Sequence, residues 1–138
     1  MAVDPLYLAD TSALARLDHT AVSDRLGPLL IEGLVATCPI IDLEVLYSAR
    51  SLTDYEGIRA ERRALRSYPI TEAIGDRAID VQHDLARRGH HRLSLPDLLI
   101  AAVAGSNDLA VIHYDADYDR IAEVTGQAVE WVAPRGSL

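Results

Sequence analysis

Asp10, Glu44, Asp97 and Asp115, with Asp117 two residues beyond the last, are the residues whose type and placement suit chemistry. Asp10 closes a short apolar run, Leu6 to Ala9, and Asp115 follows a second one, Leu109 to Ile112. Asp97 opens an apolar helical segment, and Glu44 shares helical spacing with Ile40, Ile41 and Tyr47. In open α/β sheets the ligand crevice lies outside the carboxyl ends of the strands. Acids at strand ends and helix starts therefore converge there although they are far apart along the chain. Clustered carboxylates suit Mg²⁺ or Mn²⁺, hard cations that take oxygen ligands, and through them the hydrolysis of phosphodiesters by in-line displacement.

Each position also has a plainer account. Asp10 at a strand-to-helix junction is an N-cap, and Asp97 in a first helical turn gains roughly 0.3 to 1 kcal/mol from the helix dipole. Glu44 is harder to dismiss, because a carboxylate on an apolar helix face is costly without a partner. The run Asp115-Ala116-Asp117-Tyr118-Asp119 has the alternation of a calcium loop, but the glycine and glutamate such a loop needs at positions 6 and 12 are replaced by Arg120 and Gly126. A haloacid-dehalogenase phosphatase places its D-x-D near the N-terminus and needs a lysine. A solvated, capped turn accounts for Asp119 and suffices for Asp117.

The elements that must position these acids follow from periodicity and punctuation. Strands are expected at 5–9, 68–71, 109–113 and 128–132, and helices at 11–17, 21–35, 39–50, 54–67, 75–88, 97–105 and 116–124. Gly89 ends one helix, and Asn107-Asp108 turns the chain into a strand. Leu98 to Ala104 is apolar all round, so that helix must be buried on several sides, and part of it is expected in a homodimer interface. Strands alternating with helices imply an α/β fold with a mostly parallel sheet covered on both faces.

The bulk numbers fit this reading. A chain of 138 residues with 49% hydrophobic content forms one domain, 1–138, with a real core. The first basic residue is Arg16 and the longest apolar run is far too short to span a bilayer, so a soluble, cytoplasmic protein is expected. The lone Cys38 excludes an internal disulfide and reads as a buried inert thiol. All thirteen basic residues are arginine. The absence of lysine removes P-loop NTPases, Schiff-base enzymes and lysine-dependent receiver domains. A net charge of −8 argues against strong sequence-independent binding of nucleic acid.

The ordered segments resemble the PIN-domain ribonucleases, most closely the VapC toxins of bacterial toxin-antitoxin pairs. The residues that carry the resemblance are Leu8-Ala9-Asp10-Thr11-Ser12-Ala13-Leu14, Glu44 within Ile41-Asp42-Leu43-Glu44, Leu95-Pro96-Asp97-Leu98-Leu99-Ile100-Ala101-Ala102, and His113-Tyr114-Asp115-Ala116-Asp117-Tyr118 with Ile121-Ala122. What the resemblance implies is a three-layer, Rossmann-like α/β/α sandwich, Mg²⁺ or Mn²⁺ at the acidic cluster, endonucleolytic cleavage of RNA, homodimerisation, and inhibition by a cognate antitoxin. It also implies that Asp10 and Asp97 are principal metal ligands, that Glu44 and Asp115 complete the site, and that Asp117 contributes, with Ser12 able to add an oxygen. Two departures are His113, where many relatives have a small hydroxyl residue, and Tyr118, where phenylalanine is usual.

Several readings remain open at this level. Arg59, Arg62, Arg63 and Arg66 share one helix face, and Arg87, Arg88, His90, His91 and Arg92 form a second basic group; either could grip RNA phosphates. His113 could contact a scissile phosphate or serve as a structural hydrogen-bonding residue. A non-catalytic PIN-like dimeric binding module and a nuclease acting on another nucleic acid are the alternatives to a toxin ribonuclease. An intact acidic set argues against the first, and the lack of room for extra arches or domains against the second.

Overall fold

Apolar runs too short for helices form the centre of a computed structural model that describes residues 3–138. Four strands, β1 (Tyr7–Ala9), β2 (Val35–Ala36), β3 (Ala110–His113) and β4 (Val129–Trp131), make one sheet in the order β2-β1-β3-β4 with every pairing parallel. Leu8 pairs with Ala36 on one side and with Val111 on the other. The alternation of side chains splits these strands between two cores. Leu8, Ala36 and Val111 face one, with buried residues of α3 (Pro39–Tyr47), α5 (Glu72–Ala86), α6 (Leu95–Ser106) and α7 (Asp117–Thr125). Ala9, Val35 and Ile112 face the other, against α1 (Thr11–Leu14) and α2 (Thr20–Ile31). Helices therefore cover both faces, as the sandwich requires. Helix α4 (Leu52–Arg63) is outside this packing and has no buried residue.

The chain leaves β1 for β2 on one side and returns to β3 on the other, so the order of strand addition reverses between β1 and β3. Such a switch point opens a crevice at the carboxyl ends of the two central strands. Asp10 follows β1 and Asp115 lies just beyond β3.

Two expectations about elements are corrected. The helix expected over 21–35 stops at Ile31, because Gly33 takes φ +74° and the Gly33 and Leu34 amides turn back onto the Leu30 and Leu29 carbonyls. This paired closure is a Schellman motif. It frees Val35 and Ala36 to become the edge strand β2. The strand expected over 68–71 is absent: Ser67 makes one isolated parallel bridge with Thr37, and Thr71 instead caps α5, accepting from the Ile74 amide at 3.2 Å. The other helices shift at their ends by one to four residues.

Helix α6 buries Leu98, Ile100 and Val103 within its own protomer, while Leu99 is only partly buried and lines an open groove. Leu95 and Ile79 of α5, 65% and 64% exposed, flank an open apolar groove between α5 and α6. Cys38 is fully buried at the start of α3, and burial pushes its thiol up, as an inert thiol requires.

Candidate active site

Asp10 is placed by two jobs at once. Its amide donates to the Ile112 carbonyl, tying the end of β1 to β3, and its Oδ2 accepts the Ser12 amide at 3.0 Å as the N-cap of α1. Capping and a functional role are thus not alternatives, because Oδ1 is turned inward and accepts from the Tyr118 hydroxyl at 2.7 Å. Asp10 is 3% exposed.

Asp97 comes from the first turn of α6, where Pro96 fits the start of a helix, having no amide proton to leave unpaired. It is 6% exposed, its Oδ1 lies 3.3 Å from the same Tyr118 hydroxyl, and its Oδ2 is buried with no hydrogen-bond partner. Burial first, and then the charges of Asp10, Asp115 and Asp117, push its carboxyl up to about 8, against the opposing pull of the Tyr118 hydrogen bond. Desolvation and like charge both disfavour the ionised form.

Asp115 accepts the Asp117 amide on Oδ1 at 2.9 Å, a local turn that starts α7 and brings the two carboxyls to the same side. Asp97, Asp115 and Asp117 each offer an oxygen, and these atoms all lie within 4.8 Å of one another. Asp117 is therefore a full member of the cluster. Asp119 faces away, with its carboxylate on the Trp131 indole at 3.2 Å.

Glu44 stands at the side of the crevice next to Asp10. It is half-buried, accepts from the Thr11 hydroxyl at 3.2 Å, and is raised above the usual carboxylate range by burial and then by the charge of Asp10. Its surroundings differ from the expected apolar face. Tyr47 is 91% exposed and Ile40 only partly buried, so Glu44 borders the Asp10 side of the crevice instead of lying under a core.

The neighbours of the acids hold them in place. The Ser12 hydroxyl accepts the Tyr114 amide at 2.9 Å, latching the start of α1 to the end of β3. His113 is fully buried between Tyr118 and Trp131, and its Nδ1 accepts the Asp115 amide at 3.1 Å. That bond requires the proton on Nε2, which has no partner, and burial holds the ring below the usual histidine range. His113 thus positions the Asp115 turn as a neutral structural residue.

The arginine groups singled out from the sequence are mostly paired. Arg62 bonds Asp42 at 2.9 Å and Thr37 at 2.8 Å, Arg66 bonds Asp4, Arg87 faces Asp84, and Arg88 faces Glu123. An arginine that the sequence reading passed over, Arg16, sits at this edge of the sheet instead. Its guanidinium donates to the Ser12 carbonyl at 2.7 Å and lies 4.7 Å from the centre of the Tyr114 ring. Tyr118 was visible in the sequence only as a departure from the usual phenylalanine; that its hydroxyl joins two acids had no local signal.

The family model for the PIN domain matches residues 7–124. The chain is 42% identical over 132 residues to Ribonuclease VapC51 of Mycobacterium tuberculosis, covering 96% of each chain. It is 44% identical over 133 residues to Ribonuclease VapC21 of the same organism, covering 95% of this chain and 96% of that one. Among solved structures it is similar to the DNA-bound VapBC complex from Salmonella typhimurium, with TM-score 0.74 at 19% identity over 94% of this chain and 99% of that one. It also matches VapBC-5 from Mycobacterium tuberculosis, with TM-score 0.57 at 28% identity over 92% and 98%. The buried acids at the β1/β3 switch point and a match running nearly end to end agree, and the chain belongs to the PIN-domain family, with VapC ribonucleases among its relatives.

Proposed function

We propose that this protein is the toxin of a toxin-antitoxin pair and a divalent-metal-dependent endoribonuclease that hydrolyses RNA phosphodiester bonds. The observation that carries the metal reading is Asp97, buried and lacking a partner for Oδ2, with oxygens of Asp115 and Asp117 within 4.8 Å. An unpaired charge buried among like charges is tolerated when a cation balances it. Every donor is a carboxylate oxygen, the ligand type of Mg²⁺ and Mn²⁺. Asp97, Asp115 and Asp117 would hold the ion, with Asp10 beside Asp97 and Glu44 completing the acidic wall.

When bound, the ion supplies Lewis-acid stabilisation of the charge that develops on the phosphate during in-line displacement. The chain's own residues do the rest. Asp10, fixed at both oxygens, and Asp115, fixed through its turn, keep the acidic wall in register with the end of the sheet. Glu44, raised above the usual range, is suited to take or hold a proton at the crevice. His113, neutral and fully buried, holds the Asp115 backbone and does not meet substrate.

The VapBC structures this fold resembles are toxin-antitoxin assemblies, and they support a cognate antitoxin as the partner here. The open groove flanked by Ile79 and Leu95 supports a homodimer. A cytoplasmic site of action fits an RNA substrate, and among the described residues no helix is long and apolar enough to cross a membrane. The test is cleavage of labelled RNA by the purified protein, free of any partner. Cutting should require added Mg²⁺ or Mn²⁺, stop in excess chelator, resume when metal is restored, and be absent in Asp97→Asn. Undiminished cleavage in chelator would refute the metal mechanism.

A further inference from the structure

We propose that Tyr118 is a positioning residue of the metal centre, its buried hydroxyl tying the Asp97 carboxylate to the fixed Asp10 carboxylate and so setting the orientation in which Asp97 meets the ion. The inference rests on the metal-centre reading above and adds a residue which that reading does not require.

Asp10 and Asp97 reach the crevice from different elements, the end of β1 and the first turn of α6, and no hydrogen bond joins them directly among the described residues. Tyr118, from α7, supplies the link. Its hydroxyl is 2.7 Å from Asp10 Oδ1 and 3.3 Å from Asp97 Oδ1. One hydroxyl proton serves two carboxylates, so the shorter contact goes to Asp10, whose Oδ2 already takes the Ser12 amide. Asp10 is thereby held at both oxygens. Asp97 is held at one, and its other oxygen is left free of any partner.

The tether is rigid because its base cannot move. Tyr118 is fully buried, and its ring packs 4.8 Å from the His113 ring, which in turn holds the Asp115 amide. The same aromatic pair thus holds the carboxylates of Asp10, just past β1, and Asp97, on α6, together with the backbone of Asp115 beyond β3. Phenylalanine would fill the same volume but leave Asp10 held only through the Ser12 amide and take from Asp97 Oδ1 its Tyr118 partner. Groups that hydrogen-bond metal ligands usually set metal affinity by a factor of about 10 to 100.

The experiment is Mn²⁺ binding to full-length wild type and Tyr118→Phe by titration calorimetry without RNA, beside thermal melts in chelator. The expected result is a dissociation constant raised roughly tenfold or more in the variant, with a cooperative melt retained. The Mn²⁺ concentration giving half-maximal cleavage should rise by the same factor. Wild-type affinity in a folded Tyr118→Phe, whatever its melting temperature, would overturn the proposal and leave the tyrosine a packing residue. Tyr118→Met, which removes the hydroxyl within a different shape, should repeat the loss and decides the matter if the phenylalanine variant melts poorly. If wild type itself binds no Mn²⁺, the metal-centre reading and the proposal fall together. If wild type binds, the variant binds more weakly, and neither cuts RNA, the proposal stands and the ribonuclease reading falls.

Discussion

Replacing Asp97 by asparagine should make the metal-free protein more stable, and by an amount that depends on pH. The Asp97 carboxyl titrates at about 8 in the folded protein against an ordinary value of 3.8. A raised folded-state value means that the folded state binds the proton more tightly than the unfolded chain does. Stability from this group is therefore fully present below the ordinary value and is lost as pH climbs towards 8. At about 1.4 kcal/mol per pH unit, the interval from 3.8 to pH 7 gives a ceiling of about 4 kcal/mol. Water entry and side-chain relaxation reduce such penalties, so about half of that ceiling, or roughly 6 °C in melting temperature for a chain of this size, is expected. Asparagine keeps an oxygen for Tyr118 and carries no charge at any pH. The assay is a series of thermal melts of wild type and Asp97→Asn in chelator between pH 4 and pH 8. The two should melt together near pH 4 and diverge as pH rises, the variant melting higher. Mn²⁺ should then close the gap by raising the wild type alone, and do so less at pH 5.5 than at pH 7.5, because the metal must displace the proton. A gap that does not widen with pH, or a variant less stable than wild type at pH 7.5, would refute the picture of Asp97 as a strained, buried carboxylate.

Two further outcomes concern the arginines. Arg62→Ala should lower stability by roughly 2 to 3 kcal/mol, read by denaturant unfolding, because it strips a charged partner from Asp42 and a donor from the Thr37 hydroxyl; a change under about 0.5 kcal/mol, the ordinary surface value, would show the network to be incidental. Arg16→Ala, measured in an Asp97→Asn background so that RNA is not cut, should reduce the slope of log affinity against log salt by about 0.7, one phosphate contact on a single strand. An unchanged slope would leave Arg16 as a cation that only closes the end of α1.

Local signals carried much of the layout. The short apolar runs before Asp10 and Asp115 read as buried strands, and Gly89 marks a helix end by chemistry that acts within a few residues, whereas Thr71, read as strand, is the cap of α5. The same local reading failed at Val35 and Ala36. A two-residue strand has no period of its own and exists because β1 offers it hydrogen bonds. The length of α2 was overestimated for a related reason: Gly33 is compatible with a helix in sequence, and its left-handed turn appears only in the folded closure.

For the site, the residue types and their order along the chain nominated Asp10, Glu44, Asp97 and Asp115, because carboxylates at strand ends and helix starts have few places to go in a parallel sheet, and the family resemblance added Asp117. Their division of labour was not legible in this way. That Asp117 joins Asp97 and Asp115 while Glu44 stands beside Asp10 depends on the turn after β3 and on the packing of α3. The bond from Tyr118 to Asp10 spans 108 residues and its contact with Asp97 spans 21. Side-chain chemistry is written into the sequence one residue at a time, whereas a shared proton between distant carboxylates exists only once burial has excluded water and the packing of α7 and α6 against the sheet has left the hydroxyl no other partner.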